Sequence, residues 1–263
     1  MEKKNIAIVY LTFNDLCKDF ILVSKTFCDI IIVDSGSEPK TLFEISKLKI
    51  PIITNQIKPW DAGAQRNFAF SKLKSKYKYL LFLDADEVIT KELWDEIISR
   101  INKNELIAGS IPSLYIVGKP LTNTCKETYH DRLVSTKLDQ RDLWTKSPGE
   151  VLQLKRQNIY HFKNGYHHYV IQKGYFNWLK RMLIYPFQNG VIEAQGKRQF
   201  KNYILIRKYK FIISPTLPLL YFLFYLIKRQ CYKDSLWGLH FALIMSLAQI
   251  TYLPGYLFGL VKK

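Results

Sequence analysis

The sequence is poor in cysteine, and its cysteines do not occur in pairs. Only four are found in 263 residues, at Cys17, Cys28, Cys125 and Cys231. Their wide spacing indicates neither a disulfide framework nor a zinc site, so we expect reduced thiols in a cytosolic compartment. The N-terminus also lacks the long apolar segment and the small-residue cleavage site of a signal peptide. We therefore expect this part of the chain to stay inside the cell.

Acidic residues are scarce in the C-terminal part of the chain. The sequence carries 39 Lys and Arg against 22 Asp and Glu, a formal net charge of +17. Residues 1–149 hold 22 basic and 19 acidic residues, whereas residues 150–263 hold 17 basic and 3 acidic residues. A basic segment of this kind binds nucleic acid or an anionic membrane surface. Here the basic residues are interleaved with long apolar runs, which favours a membrane surface and argues against nucleic acid.

Short apolar runs alternate with helical patterns in the N-terminal half. Residues 6–11 and 29–33 are predicted strands, and the helical spacing of residues 15–27 makes this segment a strand–helix–strand unit. A third short strand at residues 51–54 and a helix over residues 64–74 follow. This alternation predicts an α/β fold with a mostly parallel sheet flanked by helices.

The most informative stretch runs from Tyr79 to Glu87. Five apolar or aromatic residues are followed directly by Asp84, Asp86 and Glu87. This pattern predicts a buried strand that delivers carboxylates to the sheet edge where α/β folds bind ligands. Because residues i and i+2 of an extended segment point the same way, Asp84 and Asp86 can converge on one hard cation, or on a cation and a ribose hydroxyl. The same spacing also fits a strand that ends in a solvated acidic turn.

Further candidates lie before this strand and on the polar segments that follow it. Gly63 allows close backbone approach, and Arg66 in the first turn of its helix would face a ligand over the sheet edge. Arg132 and Glu150 lie on a long polar segment of the kind that carries function, although each also fits an ordinary surface charge. The histidine spacing does not match a standard zinc site, so we expect His168 to face a substrate.

The C-terminal third changes character. Apolar and aromatic runs at residues 211–227 and 236–260 are punctuated by Lys/Arg pairs. Prolines and polar residues interrupt both runs, which therefore fit a monotopic or re-entrant element better than a spanning helix. Lys/Arg pairs flanked by Tyr and Trp are typical of an anionic membrane interface. The alternative is a basic helical subdomain in solution that packs on the first domain.

Four landmarks occur in a fixed order along the N-terminal half. They are Leu11-Thr12-Phe13-Asn14, Val33-Asp34-Ser35-Gly36-Ser37, Gly63-Ala64-Gln65-Arg66-Asn67 and Leu83-Asp84-Ala85-Asp86-Glu87. As an ordered set, they resemble the inverting family 2 glycosyltransferases, which have the GT-A fold. The segment from Tyr232 to Leu239 resembles the basic, aromatic tail of the lipopolysaccharide-core β-glucosyltransferase type, so the similarity covers most of the chain.

The resemblance implies a role for each matching residue. Asp34 would contact the nucleobase of a nucleotide-sugar, and Leu11 would line the nucleotide pocket through its backbone. Asp84 would serve ribose or metal, and Asp86 would bind a divalent cation, Mn²⁺ or Mg²⁺, that bridges the two phosphates. Arg66 would lie near the nucleotide, where positive charge stabilises the leaving diphosphate.

The resemblance also implies a carboxylate base that takes a proton from the acceptor hydroxyl. Glu150 is the best match to the family's Val-His-Glu segment, although a Pro-Gly pair replaces its first two residues here, and Asp131 is the second candidate. Arg132-Leu133-Val134 resembles the family's Arg-Leu-Phe segment. Arg132 would therefore hold the diphosphate or the acceptor.

Together, these features predict a GT-A catalytic domain over residues 1–200 and a membrane-associated helical tail over residues 201–263. The resemblance implies metal-dependent transfer of a sugar from a nucleotide donor to a bacterial surface glycan, either the lipopolysaccharide core or a related lipid-linked glycan. We expect this reaction at the cytoplasmic face of the inner membrane, where the tail would confine the enzyme beside a lipid-linked acceptor. The alternatives are a polyprenyl-phosphate glycosyltransferase and a catalytically inactive membrane-bound scaffold of the same fold.

Overall fold

The computed structural model describes residues 4–15, 18–58, 60–103, 106–125, 128–138, 143–145, 151–172, 174–196 and 214–262. The chain divides into two compact units. The sheet unit comprises Met1–Leu114 and Glu127–His168, and the helical unit comprises Tyr115–Lys126 and Tyr169–Lys263. The predicted domain boundary after residue 200 lies outside the described residues and stays a prediction.

The strands form a mixed sheet. In chain order they are β1 (Lys4–Thr12), β2 (Asp29–Asp34), β3 (Ile52–Thr54), β4 (Tyr77–Asp84), β5 (Glu87–Val88), β6 (Ala108–Val117), β7 (Lys119–Pro120), β8 (Tyr129–Ser135), β9 (Ile159–His161) and β10 (Tyr166–His168). The spatial order is β3-β2-β1-β4-β8-β6-β10-β5, and β7 and β9 also pair with β6. The first four strands are parallel, and β8 runs antiparallel to both of its neighbours.

Helices cover both faces of this sheet. Those of the sheet unit are α1 (Lys18–Lys25), α2 (Pro39–Ser46), α3 (Ala62–Leu73) and α4 (Lys91–Asn102). The first, second and fourth contribute apolar side chains to one core, and α3 contributes to the core on the opposite face. Residues of β1 and β4 alternate between the two cores, which explains why both strands read as continuous apolar runs. The predicted α/β, GT-A-like fold class is confirmed.

The strand register brings the ends of β1, β2 and β4 to one edge of the sheet. Thr12 pairs with Asp34, and Leu11 pairs with Asp84. Parallel strands share a carboxyl edge, which is where open α/β sheets bind their ligands. Landmark segments that are far apart in the sequence therefore meet at this edge.

The start of α3 is fixed by a cap and by a close backbone contact. The carboxylate of Asp61 accepts a hydrogen bond of 2.8 Å from the N–H of Ala64, which satisfies one of the free N–H groups at the helix start. A Cβ atom on Gly63 would lie only 2.0 Å from the carbonyl oxygen of Thr145. The chain therefore needs glycine at this position, in agreement with the predicted close approach.

The helical unit contains four described α-helices. They are α5 (Tyr175–Ala194), α6 (Leu217–Leu223), α7 (Ser235–Leu247) and α8 (Tyr252–Val261). A Cβ atom on Gly255 would lie 2.1 Å from the carbonyl oxygen of Phe187, so α5 and α8 pack with their backbones close together. The hydroxyl of Tyr252 also donates a buried hydrogen bond of 2.7 Å to Glu193. These contacts join α5 and α8 within the unit.

The close contact at Gly63 predicts a loss of stability in Gly63→Ala. The added methyl group must push the backbone at Thr145 away, and overpacking of this kind costs about 1–3 kcal/mol. Differential scanning calorimetry should show a melting temperature lower by about 2–4 °C per kcal/mol. Ser71→Ala, at an exposed position of the same helix, is the control. A melting temperature of Gly63→Ala equal to that of wild type would contradict this reading of the helix start.

Candidate active site

The three carboxylates that follow β4 have different surroundings. The side chain of Asp84 is 34% exposed, that of Asp86 is 12% exposed, and that of Glu87 is fully buried. The predicted acidic segment is therefore not a solvated turn. It reaches from the surface into the interior within four residues.

Two arginines from different elements converge on Asp84. Arg66 of α3 donates a hydrogen bond to Oδ1 at 3.1 Å, and Arg132 of β8 donates one to Oδ2 at 2.8 Å. Burial by itself would raise the pKa of Asp84, but the charges of Arg132 and Arg66 hold this pKa well below its usual range. Asp84 is therefore an anion held between two cations.

Glu87 binds the same arginine from the interior. Its Oε1 accepts a hydrogen bond of 2.7 Å from Arg132, and its Oε2 accepts one of 2.9 Å from the backbone N–H of Asp84. Burial raises the pKa of Glu87 above its usual value, although the charge of Arg132 opposes this shift. One guanidinium group is thus shared by two carboxylates, and it joins the end of β4 to β8.

Asp86 lies beside His168 of β10. Their Oδ1 and Nε2 atoms are 3.6 Å apart, and the Nδ1 atom of His168 lies 3.3 Å from the hydroxyl of Ser113. Burial alone would lower the pKa of His168, but the hydrogen bond with Asp86 and the charge of Glu87 raise it above its usual value. A carboxylate oxygen and an imidazole nitrogen are thus brought together at the carboxyl edge. The predicted contact of His168 with a substrate stays a prediction.

The first turns of α3 connect this edge to two other segments. Gln65 is fully buried and donates a hydrogen bond of 2.8 Å to the hydroxyl of Ser35, which follows β2. The side-chain amide of Asn67 exchanges two hydrogen bonds of 2.9 Å with the backbone of Trp144. Arg66 lies between Gln65 and Asn67 in sequence, so the hydrogen bonds of these two neighbours fix the backbone position of Arg66.

Leu11 and Asp34 occupy the ends of the two neighbouring strands. Leu11 is buried in β1 and pairs in register with Asp84. The carboxylate of Asp34 is fully buried and accepts hydrogen bonds from the N–H groups of Gly36 at 2.9 Å and Ser37 at 3.1 Å. In this structure Asp34 holds the turn after β2, and the contacts of both residues with a nucleotide stay predictions.

Asp131 is the base candidate that the structure describes. It is partly buried in β8, directly before Arg132, and its Oδ2 atom lies 3.4 Å from the N–H of Leu152. Glu150, the first candidate, lies outside the described residues. The catalytic role of each stays a prediction.

Next to Arg132 lies an aromatic pair that the sequence patterns do not predict, the buried Tyr166 and the half-buried His130. The hydroxyl of Tyr166 is hydrogen-bonded to Nδ1 of His130, and the ring of Tyr166 lies 5.7 Å from the guanidinium carbon of Arg132. Burial lowers the pKa of His130 to about 3, and the charge of Arg132 acts in the same direction. His130 is therefore neutral at pH 7. The register of β8 against β6 shifts at Arg132, since Gly109 pairs with Leu133 and Ser110 with Asp131, so simple strand alternation does not predict that His130 and Arg132 lie together.

Residues 5–181 match the family described as Glycosyl transferase family 2. The match covers more than half of the chain, and the protein belongs to this family. With the α/β, GT-A-like fold described above, it is a family 2 glycosyltransferase. No curated protein sequence matches the chain.

Solved structures similar to this chain include proteins from S. aureus and Mycobacterium tuberculosis. S. aureus TarS 1–349 in complex with UDP-GlcNAc has 14% identity and a TM-score of 0.46, with 98% of this chain and 91% of that chain covered. A glucosyl-3-phosphoglycerate synthase from Mycobacterium tuberculosis, in complex with Mn²⁺, uridine diphosphate and glucosyl-3-phosphoglycerate, has 13% identity and a TM-score of 0.46, with 63% and 72% covered. A longer S. aureus TarS chain has 15% identity and a TM-score of 0.41. The match covers 70% of this chain but only 40% of that TarS chain.

The shared arginine predicts that Glu87→Ala strongly destabilises the protein. Without Glu87, the buried positive charge of Arg132 loses one of its two carboxylate partners. Removing one partner of a buried ion pair lowers the free energy of unfolding by about 3–5 kcal/mol. Thermal unfolding followed by circular dichroism should show a clear fall in the melting temperature. Glu92→Ala, which removes an exposed carboxylate from α4, should change it little. Equal melting temperatures for the two variants would refute a structural role for the Glu87 contact.

Proposed function

We propose that the chain transfers a sugar, with inversion, from a nucleotide-sugar donor to a bacterial surface glycan, either the lipopolysaccharide core or a related lipid-linked glycan. The observation that carries this proposal is the convergence of Asp84, Asp86, Arg66, Arg132 and His168 at the end of β4. A nucleoside diphosphate leaves such a donor with negative charge, and this edge offers buried guanidinium groups next to a pair of metal-binding side chains.

Asp86 and His168 would hold a divalent cation, Mn²⁺ or Mg²⁺. Carboxylate ligands suit both Mn²⁺ and Mg²⁺, and Mg²⁺ is commonly held by one or two carboxylates plus phosphate oxygens and water. Over the described ranges, no group of three or more His, Cys, Asp or Glu side chains could hold a metal ion. Phosphate oxygens of the donor and water would complete the coordination of the cation. When bound, the cation would neutralise charge on the diphosphate.

Arg66 and Arg132 would supply fixed positive charge at the same edge. Both guanidinium groups are already oriented by Asp84, and their side chains are only 3% and 6% exposed. Charge that is oriented before the reaction needs no reorganisation as the leaving group develops its own charge. The exposed part of Asp84 is free to accept a hydrogen bond from a ribose hydroxyl.

Inversion requires a base that acts on the acceptor hydroxyl on the face opposite the leaving group. We assign this role to Glu150, with Asp131 as the alternative. Asp131 lies directly before Arg132 in β8 and contacts the N–H of Leu152, which supports it as a candidate. Either carboxylate would take the proton of the hydroxyl as the new glycosidic bond forms.

The helical unit supports a lipid-linked acceptor through its exposed apolar surface. Several of its large apolar side chains are more than half exposed: Phe176, Leu219, Ile227, Leu236, Ile250 and Val261. By length and composition, the apolar helical stretch Cys231–Val261 could cross a membrane, and 39% of its 18-residue apolar window is buried within the protein. Apolar surface of this extent is a feature of membrane-binding and partner-binding proteins.

The charge of the helical unit supports an anionic membrane surface. Its sequence contains 16 Lys and Arg but only two acidic residues, Glu193 and Asp234, and both carboxylates are buried. Asp234 is held by hydrogen bonds from Thr122, Asn123 and Thr124, so its charge is compensated within the unit. Accessible positive charge beside apolar side chains suits the cytoplasmic face of the bacterial inner membrane.

Donor binding tests the proposed nucleotide-sugar site. We expect isothermal titration calorimetry to detect one class among UDP-, GDP- and CMP-sugars, and to detect it only with Mn²⁺ or Mg²⁺ present. Asp86→Asn should lower this affinity at least about tenfold, because a metal ligand is lost. Asp95→Asn, which removes an exposed carboxylate that pairs with Lys91 on α4, should bind as wild type does. Metal-independent binding, unaffected by Asp86→Asn, would overturn the role of Asp86.

Vesicle flotation tests the membrane part of the proposal. The wild-type protein should float with vesicles rich in phosphatidylglycerol and bind poorly to pure phosphatidylcholine. The double variant Leu243→Glu/Leu247→Glu replaces two residues of α7 that are 45% and 44% exposed. It should lose most of this binding, because burying the exposed part of each leucine in lipid contributes about half of the roughly 1.5–3 kcal/mol of a fully exposed one. Phe43→Glu, at a 62% exposed position of the sheet unit, is the control. Wild-type protein that stays with the aqueous fraction would refute membrane association.

A further inference from the structure

Trp60 is held in place and yet remains widely exposed. Its indole N–H donates a hydrogen bond of 3.1 Å to the hydroxyl of Ser35, but 45% of the residue is accessible to solvent. Buried tryptophans are found elsewhere in the chain, with Trp144 and Trp178 almost fully covered. A large aromatic surface that is fixed at one end and open on its side is typical of a ligand contact.

The segment before Trp60 packs against the turn after β2. The backbone N–H of Asn55 donates a hydrogen bond of 2.9 Å to the carbonyl of Asp34. A Cβ atom on Gly36 would lie 2.8 Å from the side chain of Gln56, so the two segments are in direct contact. Asn55, Gln56 and, through Ser35, Trp60 therefore form a wall along the turn that Asp34 holds.

Ser35 is a fixed anchor for this wall. Ser35 is only 5% exposed. In addition to the bond from Trp60, its hydroxyl accepts a hydrogen bond of 2.8 Å from the buried side-chain amide of Gln65. Gln65 directly precedes Arg66, the residue that binds Asp84. The position of the indole is thus linked through Ser35 and Gln65 to the charged part of the site.

The turn after β2 lies two strands away from the acidic end of β4. Ser35 follows β2, Asp84 ends β4, and β1 lies between these two strands. Two strand spacings correspond to about 10 Å. A nucleotide whose phosphates lie near Asp86 and His168 would therefore extend its base towards the β2 turn and Trp60.

We propose that Trp60 forms one wall of the nucleobase subsite and stacks on the face of the donor's base. This inference rests on the proposed function and adds a binding residue to it. The N–H of Trp60 is already used by Ser35, so the ring face is what the residue offers to a ligand. A ring face binds a planar, uncharged heteroaromatic group and has little affinity for a phosphate.

Comparing a nucleoside diphosphate with pyrophosphate, which lacks the base, tests the contact of Trp60 with the base separately from the phosphate contacts. Trp60→Ala should weaken nucleoside diphosphate binding in the presence of Mn²⁺ by about 5- to 150-fold, the range measured for loss of one base–aromatic stack. The affinity for inorganic pyrophosphate with Mn²⁺ should be unchanged. Trp60→Phe keeps a ring and should retain most of the nucleotide affinity. Phe43→Ala removes an exposed aromatic side chain from α2 and is the matched control.

Fluorescence gives a second readout that does not depend on the alanine variant folding. The chain has five tryptophans, and stacking on a base should quench the one that touches it. Nucleoside diphosphate should therefore quench wild-type and Trp94→Phe protein but leave Trp60→Phe protein almost unchanged.

The outcomes separate this inference from the proposed function. If the Trp60 variants bind the nucleotide as tightly as the wild type does, and their fluorescence is quenched equally, the inference is overturned. The proposed function would remain intact, because the wild type still binds the nucleotide. The inference would also be overturned if Trp60→Ala lost the same affinity for nucleoside diphosphate and for pyrophosphate. The residue would then support the structure of the sheet edge without contacting the base. Absence of nucleotide binding by the wild type would overturn both.

Discussion

Arg132 is the residue that holds the end of the central strand in its functional shape. Its guanidinium group lies 2.8 Å from Asp84 and 2.7 Å from Glu87, and it is almost fully buried. Removal of either carboxylate would leave this buried cation with less compensating charge, and Glu87 depends on it more than Asp84, which also binds Arg66. Because Asp86 lies between these two anchored residues in sequence, its backbone is fixed on both sides. The orientation of Asp86 towards His168 follows from this constraint.

The five residues Gly63-Ala64-Gln65-Arg66-Asn67 at the start of α3 connect this helix to the other segments at the sheet edge. Gly63 admits the backbone of Thr145, Gln65 reaches Ser35, and Asn67 holds the backbone of Trp144. Each contact joins α3 to a segment that is distant in sequence. The motif therefore positions Arg66 through its neighbours. This explains why small and amide side chains stand beside the arginine: their roles are structural.

The sequence predicts the local parts of the site better than the contacts between them. The burial of β4, the meeting of strand ends and the closeness of Gly63 to another backbone follow from apolar runs, strand order and glycine geometry. The sharing of Arg132 by Asp84 and Glu87 depends on the pairing of β8 with β4, which leaves no local pattern. His168 reaches Asp86 from a strand of only three residues, which is too short for a periodic signal. Asp34 fits its motif, but the motif alone does not reveal that the turn uses its carboxylate.

The most direct test of the proposed donor site is a crystal structure of the protein with a nucleoside diphosphate and Mn²⁺. We expect the metal to lie between the diphosphate and the side chains of Asp86 and His168, at the carboxyl edge of β4. Nucleotide bound at the opposite edge of the sheet, in the cavity lined by Lys25, Lys49 and Tyr77, would contradict it. So would a metal ion that is coordinated without Asp86.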